Sequence, residues 1–210
     1  MHPVQDYFLT IAQEYQQILE SIAPSWSSIA KLQQTCSVYE QVAIARFKNI
    51  DSPTHFIARI DRSVGLNSVG LLLDRLSILS IKVWCLQNTD KDRDRSKATQ
   101  LCQDQILDVT GALSEAIPAQ NFLNSKITIY QTSVTVNEWE SAIYHLLVTN
   151  LLIWKAQEAL YCRSSTEADR QFRTYMSLFP EINLRRDEFI HRCEHLYWSI
   201  FQIEGKKEFS

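Results

Sequence analysis

Residues 67–86 read NSVGLLLDRLSILSIKVWCL, and the fold is decided there. Val69, Leu72, Leu73, Leu76, Leu79, Val83 and Leu86 recur at helical spacing and form one apolar stripe. Leu71, Ile78 and Ile81 add apolar side chains on the other side. A helix that is apolar nearly all round belongs at the centre of a bundle. Asn67 and Ser68 stand where such a helix needs its N-cap. Against this background Asp74, Arg75 and Lys82 are out of place, because an ionised group stays in a core only when it is paired.

Working outward, the remaining segments also carry helical periodicity. Pro3 suits a first helical turn, and Val4, Phe8, Ile11, Tyr15, Ile18, Leu19 and Ile22 follow it up to Pro24. Ser25 is the expected cap of a second helix with Ile29, Leu32, Cys36, Tyr39, Ala43 and Phe47 inward. Asp51, Ser52 and Pro53 open a short helix with Phe56, Ile57 and Ile60, stopping near Gly65. Beyond the central helix, Leu101, Ile106, Val109, Leu113 and Ile117 define another that ends at Pro118. Residues 126–136, KITIYQTSVTV, are β-branched and partly alternating, the one strand-like insert. Asn137 and Glu140 make a capping-box variant before a helix carrying Ile143, Leu147, Asn150, Trp154 and Tyr161. Thr166 and Asp169 start a shorter helix closing near Pro180. Asn183 then caps the last, with Phe189, Cys193, Leu196, Ile200 and Ile203 inside and Gly205 at its end. The sum is an all-α, single-domain bundle of about seven helices with one short β-like insert. Residues 1–65 are expected to form an N-terminal helical segment packed on a bundle of residues 66–204, and 205–210 a frayed tail.

Composition narrows function by exclusion. In 210 residues there are 4 Gly and 5 Pro, too few for turn-dense β architectures or for Gly-dependent phosphate and dinucleotide loops. The net charge of −3 gives no global attraction to nucleic acid or to acidic membranes. The start, MHPVQDYFLT, lacks a basic n-region, so no signal peptide is expected, and no apolar run is long enough to span a bilayer. The 5 cysteines, Cys36, Cys85, Cys102, Cys162 and Cys193, contain no C-x-x-C pair. They read as reduced thiols of a cytoplasmic protein, not as a disulfide framework or zinc knuckle. His191 and His195 are spaced to chelate, as are Glu138 and His145 less closely, but a third ligand is lacking, so no metal and no cofactor is expected.

Three stretches together resemble a known bacterial family. Asp74-Arg-Leu-Ser-Ile-Leu79 fits a D-[RK]-L-[ST]-I-L run. Asn150 and Trp154 fit N-x-x-L-W-x-x-E-D, with Gln157-Glu158 in place of the final pair. Asn183 and Arg186 fit N-Q-x-R-N-D-x-I, with Asp187-Glu188 where Asn-Asp is usual. The chain over residues 66–200 is thereby similar to the domain of unknown function 4254 family and related helical proteins of glycosyltransferase gene clusters. The resemblance implies an all-α bacterial cytoplasmic protein with a loose link to surface-glycan biosynthesis, and no defined chemistry.

The polar residues of those motifs are the candidate site: Asp74, Arg75, Lys82, Asn150, Trp154, Glu158, Asn183, Arg186 and Asp187. Gathered between helices, they would make either a self-neutralised network or a pocket for a small anion or sugar-phosphate. In the pocket, Arg75 and Arg186 would grip the anion as forks, and amides at the last helix's N-terminus would assist. A non-catalytic accessory or binding protein is the expectation, with a protein partner or homodimer as a further possibility. The alternative is enzymatic. Arg186-Asp187-Glu188-Phe189-Ile190-His191 resembles the R-[ND]-x-x-x-H pattern of HEPN ribonucleases. There Arg186 would stabilise the scissile phosphate and His191 would move protons on the ribose, nucleic acid being the substrate only in that case.

Overall fold

The computed structural model describes residues 2–53, 55–56, 68–88, 94–116, 136–161 and 168–203. Six α-helices make up the described bundle: α1 (Pro3–Ile22), α2 (Ile29–Lys48), α3 (Val69–Asn88), α4 (Ser96–Leu113), α5 (Trp139–Tyr161) and α6 (Ala168–Ile200). A 3-10 turn, Ala23–Ser25, joins α1 to α2. The all-α bundle stands.

The central helix sits where its pattern requires. α3 packs on α1, α4, α5 and α6. Val69, Leu72, Leu73, Leu76, Leu79, Ile81 and Val83 are buried on it, and Leu71, Ile78 and Leu86 are half-buried. The amide of Leu71 donates to Ser68 Oγ at 3.4 Å, a cap at the expected place. The core is continuous through all six helices, from Phe8 and Ile11 of α1 and Leu32 of α2 through Leu73, Leu113 and Leu147 to Cys193. Among the described residues no helix is long and apolar enough to cross a membrane.

Among the described residues, two helices expected on either side of Pro180 are one. Pro180 does not divide the last helical region; α6 runs through it. Asn183, expected to cap a new helix, lies inside α6 and donates its side-chain amide to the Phe179 carbonyl at 3.0 Å. Proline in a helix interior removes one hydrogen bond and crowds the preceding turn. Here tertiary packing outweighs that cost: α6 forms its most extensive contacts with α5, and Ile182, Phe189, Cys193 and Leu196 are buried along it.

Several boundaries also move. Ser25 does not cap α2; it closes the 3-10 turn, and its Oγ donates to Thr35 Oγ1 at 2.7 Å, while Ser28 holds the extended N-cap position. His55–Phe56 (β1) is extended, not helical, and pairs in parallel with Gln202–Ile203 (β2), so α6 ends at Ile200. Leu101 and Tyr161, expected to face inward, are 59% and 86% exposed. The rest of the short helix ending at Gly65, the insert 126–135, the tail and Cys162 lie outside the described residues.

Candidate functional site

Asp74 stands on the face of α3 that meets α5 and α6, one turn below the Gly70 crossing. Its carboxylate is buried. Arg186 of α6 reaches it in fork geometry, with Nε donating to Oδ1 at 2.7 Å and Nη2 to Oδ2 at 2.5 Å. Asn150 of α5 donates its side-chain amide to Asp74 Oδ1 at 2.9 Å and to Ser77 Oγ at 2.7 Å. Ser77 Oγ donates in turn to the Asp74 carbonyl at 2.8 Å. One residue from each of the three motif stretches therefore converges on a single carboxylate. Charge-assisted, two-point pairing of this kind is among the stronger polar contacts a protein makes. It holds the Arg186 proton more tightly than usual: the hydrogen bonds that the guanidinium donates to Asp74 raise its pKa against the opposing effect of burial.

The other expected members do not join. Arg75 and Lys82 are exposed, because they fall on the part of α3 that its four neighbours leave open. Glu158 sits farther along α5, accepting from Trp154 Nε1 at 2.9 Å and pairing with Lys155. Asn183 is tied to its own helix, and Asp187 is half-buried beside the network. No helix N-terminus lies at Asn183, so the amides expected to help hold an anion there are absent.

The fork also bears on the nuclease pattern. The two guanidinium nitrogens that would meet a scissile phosphate already meet Asp74. His191 is half-buried and lies five residues on, about 140° around the helix. Burial lowers its pKa below the ordinary 6.5, with Asp187 opposing. Among the described residues no group of three or more His, Cys, Asp or Glu could hold a metal ion.

Two participants were not among the candidate site residues. Ser77 stands at the Ser/Thr position of the D-[RK]-L-[ST]-I-L run and could have been found there, but a small neutral side chain on an apolar helix does not demand a partner as Asp74 does. Glu194 is buried, its Oε2 accepts from the Gly70 amide at 2.7 Å and its Oε1 from Trp198 Nε1 at 2.6 Å. A carboxylate is favoured there by the positive end of α3. Its partner could have been sought at Gly70, where an added Cβ would lie 2.2 Å from the Ile190 carbonyl oxygen, so only glycine lets α3 and α6 approach this closely.

A separate cleft of about 400 Å³ opens between α1, the end of α2 and the last turn of α3. Glu20, Arg46, Trp84 and Asn88 are among its walls. Nothing in the sequence announced it, since its residues are scattered and individually ordinary.

No family model, no curated protein and no solved structure matches this chain.

Proposed function

We propose that the chain is a non-catalytic helical accessory or binding protein of the bacterial cytoplasm, in which the Asp74–Arg186–Asn150 network locks three helices together. The carrying observation is the fork. Arg186 presents Nε and Nη2 to both oxygens of Asp74, so the guanidinium edge that suits a phosphate is already occupied by a carboxylate. A sugar-phosphate would have to displace a buried anion that Asn150 also holds. The convergence of Asp74, Asn150 and Arg186 also supports kinship with the domain of unknown function 4254 family, because residues conspicuous in three separate motifs serve one contact. A role beside surface-glycan biosynthesis rests on that kinship alone.

The test is thermal unfolding of the full chain with inorganic phosphate, with a nucleotide sugar and with magnesium. A ligand of the folded state raises the melting temperature with its concentration. The expected result is no rise with phosphate or nucleotide sugar. A rise that saturates and disappears in Arg186→Lys makes the network an anion receptor and overturns the reading.

A further inference from the structure

We propose that the cleft between α1, α2 and α3 is a binding site for a neutral, hydroxyl-rich ligand, a saccharide of one or two rings. This rests on the reading of the chain as a binding protein but uses none of the residues of the Asp74 network. The cavity, about 400 Å³, is of the size that holds small ligands. No aliphatic side chain lines it. Among the described residues its aromatic wall is the exposed edge of the largely buried Trp84, against which Trp26 packs at a ring separation of 4.3 Å.

The polar walls are already partly bonded to their own helices and neighbours. Gln16 donates its amide to the Ser80 carbonyl at 2.8 Å, leaving its carbonyl oxygen. Asn88 donates to the Trp84 carbonyl at 3.0 Å and likewise keeps its oxygen. Glu20 Oε2 accepts from Trp84 Nε1 at 3.0 Å and keeps Oε1. Arg46 donates through Nε to Glu14 at 2.6 Å and through Nη2 to Gln17 Oε1, leaving its own Nη1 and the Gln17 NH₂ as donors. Gln16, Gln17, Glu20, Arg46 and Asn88 are thus each fixed by one half of the side chain and keep the other half unengaged by the described residues. Three acceptors and two donors remain on these five residues around one cavity, beside the side-chain amide of Gln87.

That mixture selects a ligand by its hydrogen-bonding character. A hydroxyl group both donates and accepts, so a polyol can serve every position. A phosphate is an anion and mainly an acceptor; it would set its negative charge against acceptors, one of them the Glu20 carboxylate. An ammonium only donates and would face Arg46. The charge of Arg46 is itself met by Glu14, so the walls offer no net attraction to an anion. Rigid, pre-bonded walls also lower the entropy lost on binding.

The experiment is side-chain NMR on the isotopically labelled full chain, titrated with maltose, with N,N′-diacetylchitobiose, and with inorganic phosphate and spermidine as charged probes. Saturable movement of the Trp84 indole N–H and the Gln16, Gln17 and Asn88 amide signals by at least one disaccharide, and by neither charged probe, is expected. Glu20→Gln and Gln87→Ala should each weaken that binding about fivefold, the loss of roughly one hydrogen bond, with the melting curve retained. Gln87 lines the cleft, is exposed and carries no bond that the fold depends on. The proposal is overturned if neither disaccharide moves these signals, if phosphate moves them equally, or if both variants bind as the parent does. Such a failure leaves the Asp74–Arg186 reading standing. Phosphate movement confined to the Arg186 Nε–H would do the reverse.

Discussion

Arg186 closes on Asp74 through two hydrogen bonds across 112 residues of chain, yet the two partners are unequally buried. The Arg186 side chain is 29% exposed and that of Asp74 8%. Removing either member should therefore have unequal consequences. Arg186→Met leaves a buried carboxylate with Asn150 as its remaining side-chain donor, and should lower stability by about 3 kcal/mol. Asp74→Asn lets the guanidinium turn to water, and should cost about 1–2 kcal/mol. Urea unfolding of both variants checks the order. Equal losses, or a larger loss for Asp74→Asn, would remove the claim that burial sets the asymmetry.

Gly70 and Gly111 predict opposite responses to the same substitution. A methyl at Gly70 meets the Ile190 carbonyl oxygen at 2.2 Å and pushes α3 from α6, disturbing the Glu194 bond as well. Gly70→Ala should destabilise by about 2–3 kcal/mol. At Gly111, near the end of α4, the nearest atom is Gln5 Nε2 at 3.5 Å, an ordinary contact. Gly111→Ala should stabilise by about 0.5–1 kcal/mol through helix propensity. Thermal unfolding of the pair decides it, and a shared sign would show that the close approach at Gly70 does not limit the packing.

The central helix was legible in the sequence because apolar side chains on every face leave few other places for it, and its charged exception, Asp74, marked where a partner had to arrive. Arg186 and Asn150 were legible as that partner set. Arg75 and Lys82 were not separable from Asp74, because composition does not say which sliver of a nearly all-apolar helix its neighbours leave open. The helix at Pro180 was misread for a related reason. Local propensity favours a break there, and only long-range packing along α5, invisible in the local pattern, reverses it. The cleft left no mark at all, since glutamines on a helix surface look alike whether or not they face a cavity.

The cysteines should divide sharply in reactivity. Burial pushes the Cys36 and Cys85 thiols up to about 11, and raises Cys193 further. Cys102 is only half-buried. The thiolate is the reacting species, so near pH 8 Cys102 should be alkylated well before the other three in the native state, and all four alike once unfolded. Peptide mass spectrometry after brief iodoacetamide treatment reads this directly. Early labelling of Cys193 would mean that the α3–α6 interface opens readily.

Glu188 and His191, one turn apart on α6, should give stability a pH dependence of two opposing limbs. Burial lowers the His191 pKa below the ordinary 6.5, so the unfolded chain binds that proton more tightly. Its contribution is complete above the unfolded value and is lost as pH falls through the lowered folded value. Burial raises the Glu188 pKa above the ordinary 4.5, and its Oε1 has no hydrogen-bond partner among the described residues. That contribution is present below the unfolded value and is lost as pH rises through the raised folded one. At neutral pH an ionised Glu188 therefore works against the fold. Glu188→Met should raise stability there by about 1 kcal/mol and have less effect near pH 4. His191→Gln should flatten the loss as pH falls below the ordinary 6.5. Urea unfolding across this range tests both. A Glu188→Met variant no more stable than the parent at neutral pH would show that the carboxylate is solvated.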